Sequence, residues 1–296
     1  MAIAQTAAAA APSPDKGISR TEGISRTEIA RLAALAHRES GLRIDESKAE
    51  FLIARLGGRL GELGFASFST YADLLEGPSG AQEMRRFIES LTTHTTEFFR
   101  ERAQYDWLAG HGIPVLWAAG VGRARDLVVW SAACSTGQEL YSAAMVLDDL
   151  GRQAMRGLRW RGIGTDISAG VLGPAALAVY RGDEIGGIPP QLRQHALLRG
   201  RNDPSLVRIR PEIRQRIDWR CANLCSAGDL DGIRADVTFL RNVLIYFDPP
   251  TRQRILRNVI ARLHPGGYLL TGHSEPIEAS AYGLVSIRPS VYRKEG

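Results

Sequence analysis

The first third of the chain has the hydrophobic periodicity of α-helices. Leu52, Leu56, Leu60 and Leu63 recur at steps of four and three, which places them on one face of a helix. Two further amphipathic segments, FASFSTYADLLEG and GAQEMRRFIESLTTHTT, follow within residues 65–96. Few strand signals interrupt this pattern, so we predict an N-terminal helical domain over residues 25–108.

Two identical copies of the hexapeptide GISRTE, at 17–22 and 23–28, come before this region. Each copy has the Ser-x-x-Glu spacing of a capping box. Only the second copy, from Ser25 to Glu28, is followed by an apolar helical run, so it predicts the start of the first helix. Residues 1–24, which begin with an Ala/Pro/Ser-rich stretch, are predicted to form a disordered tail.

After Gly112 the pattern changes to short apolar runs that alternate with amphipathic segments. RDLVVWSAACSTGQELYSAAMVLDDL contains an apolar run, a turn of small residues and a helix, and LRWRGIGTDIS contains a second run that ends in an acid. This alternation is typical of a mostly parallel sheet with helices on both faces. We predict an α/β, doubly wound domain over residues 109–296, with a small β-rich insert at about 187–219, where LVRIR alternates with a period of two.

Composition narrows the class of protein. No run of about 18 apolar residues occurs, so no membrane-spanning helix is expected, and the N-terminal residues do not resemble a signal peptide. Three cysteines provide neither a disulfide framework nor zinc-ligand pairs, so we expect a reducing cytoplasm and no metal. The net charge of +5 is compatible with binding to nucleic acid, with binding to an acidic protein, or with an arginine-rich solvated surface. Charge alone does not decide among these three interpretations.

Two acids carry the candidate chemistry, because ligands of open α/β sheets bind beyond the carboxyl ends of the strands. The first strand–turn–helix unit has a single glycine, Gly137, whereas a pyrophosphate site needs several. Glu139 follows this turn, and Asp166 ends the second strand, where an acid commonly holds a ribose diol. These features predict a nucleoside ligand that has no phosphate and carries a positive charge, and S-adenosylmethionine fits this description. The structural alternative makes Glu139 an acid at a helix start and Asp166 a helix cap.

Five motifs, in this order, resemble those of the chemotaxis receptor glutamate methyltransferases, the CheR family. They are LTTHTTEFFRE, WSAACSTGQELYS, GTDIS, LRNVLIYFD and GGYLLTGHSEP. The resemblance extends from about residue 25 to the end of the chain. It implies a doubly wound S-adenosylmethionine-dependent methyltransferase sheet with an N-terminal helical subdomain and a small inserted β-subdomain.

The resemblance also assigns the site, in which the segment around His94 folds back over the cofactor. The implied cofactor-binding residues are His94, Thr96, Arg100, Glu139, Asp166, Asn223, Leu224, Asn242 and Val243. Arg100 and Tyr246 are the implied catalytic residues, nearest the transferred methyl group. His94, Gln138 and Leu140 depart from the asparagine, glutamate and proline that are usual in the family.

The implied reaction is O-methylation of glutamate side chains on methyl-accepting chemotaxis receptors, which gives glutamate methyl esters and S-adenosylhomocysteine. A glutamate carboxyl with a pKa of about 4.3 is already ionised at neutral pH, so no general base is needed, and a structural role is expected for His273. Arg100 is expected to orient the carboxylate through its planar fork. A non-enzymatic cofactor-binding signalling scaffold is one alternative.

A nucleic-acid N-methyltransferase is the other alternative, and the tetrapeptide DPPT at 248–251 favours it. Such enzymes often carry an acid or amide, two prolines and an aromatic residue after the fourth strand, but Thr251 occupies the aromatic position. We prefer the interpretation in which Asp248 caps a helix and Pro249 lies in its first turn. We therefore expect no nucleic-acid partner.

A basic stripe accompanies the leucine stripe on the predicted helix from about Asp45 to Gly64. Lys48, Arg55 and Arg59 are spaced by seven and four residues. The resemblance places such a helix against the glutamate-rich helical bundle of the receptor's cytoplasmic domain. An ordinary solvated surface is the alternative, and we expect the receptor contact.

Overall fold

Residues 23–296 are described by a computed structural model, so most of the predicted tail, residues 1–22, lies outside the described residues. The N-terminal helices are α1 (Arg26–Ser40), α2 (Ala49–Leu63), α3 (Phe68–Glu76) and α4 (Ala81–Leu91). The predicted capping box is present, because Ser25 and Glu28 bond reciprocally at the start of α1. Leucines from α1 and α2 pack with aromatic residues of α3 and α4 in one buried cluster.

A seven-stranded, mostly parallel sheet forms the larger part of the molecule. Its strands are β1 (Leu127–Ala132), β2 (Trp160–Asp166), β6 (Ile217–Cys221), β7 (Ala235–Leu240), β8 (Leu263–Thr271), β9 (Leu284–Arg288) and β10 (Val291–Lys294). Their order is β6-β2-β1-β7-β8-β10-β9, and only the pairings of β10 with β8 and β9 are antiparallel. The order reverses between β1 and β7, which creates a crevice at their carboxyl ends.

Helices cover both faces of this sheet, which confirms the predicted doubly wound class. They include α5 (Ala103–Trp107), α6 (Ile113–Ala118), α7 (Gln138–Gln153), α8 (Ala169–Leu177) and α11 (Pro249–Ala261). Separate buried clusters lie on the two faces, one built around α7 and the other around α11. Tyr105, Leu108 and Ile113 belong to the α7 cluster, so the predicted boundary at residue 108 falls within a helical layer of the sheet domain.

A second, antiparallel sheet of three short strands follows α8. It comprises β3 (Val179–Arg181), β4 (Leu197–Arg199) and β5 (Leu206–Ile209), in the order β3-β5-β4, and α9 (Pro190–Ala196) and α10 (Pro211–Arg214) flank it. The small sheet therefore begins before the predicted insert of 187–219. The last predicted residues belong to β6, which pairs with β2. β6 is a half-exposed edge strand, and its mixed pattern is hard to distinguish from that of the insert.

The end of α1 joins the helical domain to the sheet domain. Gly41 has φ +78°, and a Cβ there would lie 2.8 Å from Cys225 Sγ, so a side chain at this position would be strained and crowded. The next residues pair with the segment after β7, where the backbone N–H of Arg43 donates to the carbonyl of Tyr246 at 2.9 Å. Among residues 23–296, no helix has the length and hydropathy needed to cross a membrane.

Candidate active site

A cavity lies at the carboxyl ends of β1, β2, β6 and β7. It encloses about 1020 Å³ of empty space, and part of this volume is open to solvent. Every residue that the sequence assigned to the site lines this cavity: His94, Thr96, Arg100, Glu139, Asp166, Asn223, Leu224, Asn242, Val243 and Tyr246. They come from distant parts of the chain and converge at the crevice where ligands of such sheets bind.

Asp166 lies at the end of β2 and is 6% exposed. Its Oδ2 accepts from the backbone N–H of Ser135 at 2.9 Å, and its Oδ1 accepts from that of Ser168 at 3.0 Å. Burial raises the pKa of Asp166, and these backbone donors partly offset the shift. The N-cap of α8 is Ser168, so the capping interpretation of Asp166 was wrong. Each carboxylate oxygen keeps a second lone pair that can accept from a ligand hydroxyl.

Glu139 lies in the first turn of α7, and its carboxylate points back to the sheet. Its Oε1 accepts from Ser131 Oγ at 2.7 Å, and its Oε2 lies 3.3 Å from Nη1 of Arg241. Burial raises the pKa of Glu139, the guanidinium opposes this shift, and the nearby carboxylates of Glu101 and Glu275 add to it. Three carboxylates and one guanidinium leave a net charge of −2 when all are ionised, so this part of the site favours a cationic ligand.

Arg241 is a site residue that the sequence analysis missed. Its side chain is 1% exposed and lies 3.1 Å from Glu101 and 3.3 Å from Glu139. Its Nη2 also donates to the carbonyl of Arg100 at 2.6 Å. A charged residue directly after the apolar strand ADVTFL was the available signal, because a buried charge requires partners. Arg241 thus fastens the segment around Arg100 to the sheet.

Residues Thr92–Glu101, here called the strap, form the roof of the cavity. His94 Nε2 lies 2.8 Å from Thr92 Oγ1, and the carbonyl of His94 accepts from Ser135 Oγ at 2.9 Å. Phe98 and Phe99 are buried in the sheet-domain core, as expected for packing residues. The strap is therefore held by polar contacts at one end and by aromatic packing at the other.

Left-handed backbone is concentrated around the cavity. Seven non-glycine residues have positive φ among the described residues, and five of them lie in the strap, in the turn after β1 or after β7. They are Phe99, Glu101, Ala133, Ser135 and Asn242. Such conformations cost about 1–3 kcal/mol each and persist only where the surroundings fix them. The clustering indicates that the shape of this site is maintained at a cost in the free energy of folding.

Asn223 lines the cavity, but its side chain already has partners in the protein. Its Nδ2 donates to the carbonyl of Glu39 at 3.0 Å, and its Oδ1 accepts from the backbone N–H of Cys225 at 2.9 Å. These bonds fix the loop after β6 against the end of α1. Buried Ala222 and Leu224 flank Asn223 on the cavity wall and offer apolar surface to a flat ring.

Arg100 and Arg241 are the two arginines on the cavity wall, and only Arg241 pairs with acids. The guanidinium of Arg100 has one weak contact, at 3.5 Å from the carbonyl of Thr95. Within residues 23–296 no carboxylate forms a salt bridge with Arg100. Its fork of donors therefore remains available to an anionic group that enters the cavity.

Asp248 in the DPPT tetrapeptide is the N-cap of α11, which confirms the capping interpretation. Its Oδ1 accepts from the backbone N–H of Thr251 at 2.9 Å, and Pro249 occupies the first helical turn. Its Oδ2 lies 2.8 Å from His37 Nε2. Both oxygens of Asp248 are engaged in structural contacts, so the feature that favoured a nucleic-acid enzyme has another explanation.

The basic stripe on α2 is only partly available to a partner. Arg59 donates to both carboxylate oxygens of Glu83, at 2.8 and 2.6 Å, and Glu83 is 7% exposed. This pairing lowers the pKa of the Glu83 carboxyl. Lys48 and Arg55 are exposed, whereas Arg59 connects α2 to α4. The receptor contact of Arg59 stays a prediction, and its pairing with Glu83 leaves it less charge for a partner than Lys48 and Arg55 have.

Comparison with known proteins identifies the family. The family described as "CheR methyltransferase, SAM binding domain" matches residues 94–289, and "CheR methyltransferase, all-alpha domain" matches residues 27–92. The "Chemotaxis protein methyltransferase" of Escherichia coli is 37% identical over 254 residues, which cover 85% of each chain. "Chemotaxis protein methyltransferase 2" of Pseudomonas aeruginosa is 34% identical over 274 residues, covering 90% of this chain and 93% of the relative.

A third relative, from Borreliella burgdorferi, is also named "Chemotaxis protein methyltransferase" and is 29% identical over 272 residues. A cationic nucleoside without phosphate suits this cavity, because the turn at Gly137 has a single glycine, an acid ends β2, and the cluster of Glu101, Glu139, Glu275 and Arg241 has a net negative charge. S-adenosylmethionine, the cofactor in the family description, is such a nucleoside. The predicted family and cofactor are confirmed: this chain belongs to the CheR methyltransferase family, and its sheet domain is the S-adenosylmethionine-binding domain of that family.

Proposed function

We propose that this methyltransferase esterifies glutamate side chains in the cytoplasmic domain of methyl-accepting chemotaxis receptors. The observation that carries the proposal is Arg100, the cavity arginine without an acidic partner among the described residues. A planar guanidinium recognises a carboxylate bidentately. The names of the relatives support chemotaxis as the setting, and the cytoplasm is the compartment where we expect the reaction.

The two sides of the cavity are assigned different tasks. Ser135, Glu139 and Asp166, here called the cofactor wall, would hold the ribose and the cationic end of S-adenosylmethionine. Arg100 and the segment Asn242–Tyr246, here called the acceptor wall, would receive the substrate carboxylate, and Arg100, Asn242 and Val243 would also border the cofactor, as the resemblance implies. When bound, the cofactor supplies an electrophilic methyl group, and methyl transfer gives the glutamate ester and S-adenosylhomocysteine.

The protein would catalyse the reaction by orienting the carboxylate toward the methyl group and by excluding water from the site. An ionised carboxylate is already a nucleophile, so no proton has to be removed. Arg100 would hold the carboxylate in line with the methyl group, and Tyr246 would donate a hydrogen bond to it. Alignment of two reactants is worth up to about 7–11 kcal/mol. The strap above them would keep water out.

Lys48, at the N-cap of α2, and Arg55, within α2, are the proposed receptor contacts. Both are exposed, and the receptor surface is expected to be rich in glutamate. Charges at the rim of an interface act mainly on the association rate. Arg59 supports this surface indirectly, because its bond to Glu83 holds α2 against α4.

A transfer assay with methyl-labelled cofactor tests the proposal. The protein is incubated with the receptor cytoplasmic domain or with DNA, and the label on each is treated with base. Base-labile label on the receptor supports ester formation. Base-stable label on DNA would favour the nucleic-acid alternative, and the absence of transfer to either substrate would favour a cofactor-binding scaffold.

A further inference from the structure

Glu275, in the GHSEP motif after β8, holds the acceptor wall from the side away from the cavity. The residue is 5% exposed, and its carboxylate accepts from three backbone N–H groups. Oε2 accepts from Asn242 at 2.5 Å and from Gly272 at 3.1 Å, and Oε1 accepts from Ile245 at 3.3 Å. No cationic side chain within residues 23–296 forms a salt bridge with Glu275, so backbone N–H groups provide its charge stabilisation.

Two of these three donors lie in the segment that borders the cavity. Asn242, Val243 and Tyr246 line the cavity, and Asn242 and Ile245 donate to Glu275 from the same short segment. Asn242 has φ 56°, a conformation that persists only where the surroundings fix it. The charge-assisted bond from its N–H to Glu275 provides that constraint.

We infer that Glu275 is a positioning residue for methyl transfer, because its carboxylate sets the backbone that places Asn242 and Tyr246 against the acceptor. The inference rests on the proposed function, since the acceptor wall matters to catalysis only if an acceptor carboxylate binds there. Glu275 does not line the cavity, so it acts through the wall and touches neither reactant. A displacement of about 1 Å in such a wall can lower turnover about 100-fold.

Gly272 offers an independent way to disturb the same contact. A Cβ at Gly272 would lie 2.6 Å from Glu275 Oε2 and 3.0 Å from Asn242 Nδ2. Real Cβ atoms do not approach other atoms as closely as 2.6 Å, so Gly272→Ala would displace the carboxylate while its charge is retained. Glu275→Gln does the reverse, because it removes the charge and nearly keeps the shape.

The experiment compares both variants with Glu278→Gln, an exposed glutamate in the same loop that serves as the matched control. Hydrogen exchange of the peptide 241–247 is measured in the protein without cofactor. Affinity for S-adenosylhomocysteine and the separate kcat and KM for receptor methylation are then determined. The concentration of competent enzyme is taken from the stoichiometry of S-adenosylhomocysteine binding.

Glu275→Gln is expected to speed exchange in 241–247 and to lower kcat about 100-fold. Because Asn242 and Val243 are also implied cofactor contacts, the affinity for S-adenosylhomocysteine should fall as well, but by less than about tenfold. Gly272→Ala should do the same, and Glu278→Gln should match the wild type. Wild-type kcat per competent molecule in a folded Glu275→Gln variant would overturn the inference. If Glu275→Gln does not fold, wild-type kcat per competent molecule in the Gly272→Ala variant would overturn the inference. If the wild type transfers no methyl to the receptor, the proposed function fails, and unchanged exchange in 241–247 would separately refute the role of Glu275.

Discussion

The cofactor wall and the acceptor wall are held in place by different kinds of contact. On the cofactor wall, Asp166 accepts from the backbone of Ser135, in the turn after β1, and of Ser168, in the turn after β2. On the acceptor wall, buried Arg241 fastens the strap and buried Glu275 fastens the segment after β7. The principal acid of the cofactor wall is thus held by backbone groups next to the strand ends, whereas the acceptor wall is held by charged side chains; Arg241 also pairs with Glu139 and so links the two walls.

This difference has consequences for function. A wall made by strand ends and their turns is rigid because the sheet is rigid, so it suits a cofactor that is the same in every turnover. A wall fastened by buried charges depends on a few side chains, and the loss of one partner leaves another charge uncompensated. Damage to the first wall should appear in cofactor affinity, and damage to the second should appear in stability and turnover.

The largest expected effect is that of Arg241→Met. The substitution leaves Glu101 and Glu139 without their buried cation, so the free energy of unfolding should fall by about 3–5 kcal/mol. Urea denaturation followed by circular dichroism measures the change.

Arg125→Met is the control for Arg241→Met, because Arg125 pairs with buried Asp236 away from the cavity. Both variants should lose stability, but only Arg241→Met should also lower turnover on the receptor, because only Arg241 fastens the strap. If Arg241→Met unfolds at the wild-type urea concentration, the buried guanidinium is not what holds the acceptor wall.

Arg100→Lys separates orientation from charge. Lysine keeps the positive charge and loses the planar fork, so we expect kcat on the receptor to fall about 100-fold, as is typical when reactants are misaligned. Some affinity for S-adenosylhomocysteine should be retained, because lysine keeps the positive charge beside the cofactor. Arg102→Lys, at an exposed neighbouring position outside the cavity lining, is the control and should behave as the wild type. Full turnover by Arg100→Lys would remove Arg100 from the mechanism.

Asp166→Asn tests the cofactor wall alone. Asparagine is used because its single side-chain oxygen can still accept from one of the N–H groups of Ser135 and Ser168, whereas alanine would leave both without an acceptor. Loss of a charge-assisted bond to a ribose hydroxyl should weaken S-adenosylhomocysteine binding by about 1.5–3 kcal/mol. Calorimetry measures this, with Asp218→Asn on exposed β6 as the control. Equal affinities for Asp166→Asn and the wild type would show that this acid only organises the loop.

The smallest expected effect concerns α2. Lys48→Glu combined with Arg55→Glu should slow association with the receptor by up to about 10-fold at low salt, and the difference should fade as salt rises. Receptor methylation at limiting substrate across a salt series measures it. Arg59→Glu should instead lower the melting temperature, because buried Glu83 loses its partner. Superimposed salt curves for the double variant and the wild type would make α2 an ordinary solvated surface.

The sequence predicts the cofactor wall better than the acceptor wall, for a physical reason. Asp166 is the last residue of the apolar strand β2, and Glu139 lies in the first turn of the helix that follows β1, so their place at the carboxyl edge is evident from local pattern. The partners of Arg241 and Glu275 come from segments far away along the chain, and no local pattern specifies them. The pairing of Arg59 with Glu83 has the same origin, since α2 and α4 meet only in the folded domain. The short strand β3 directly follows α8, so its start was hidden by the helical pattern.

Tandem mass spectrometry of the receptor cytoplasmic domain after incubation with the protein and S-adenosylmethionine tests the central claim most directly. The account predicts a methyl group on glutamate side chains that is lost on base treatment, and far less of it when Arg100→Lys replaces the wild type. Methyl groups on lysine, arginine or added DNA, or glutamate methylation that Arg100→Lys supports at the wild-type rate, would contradict it.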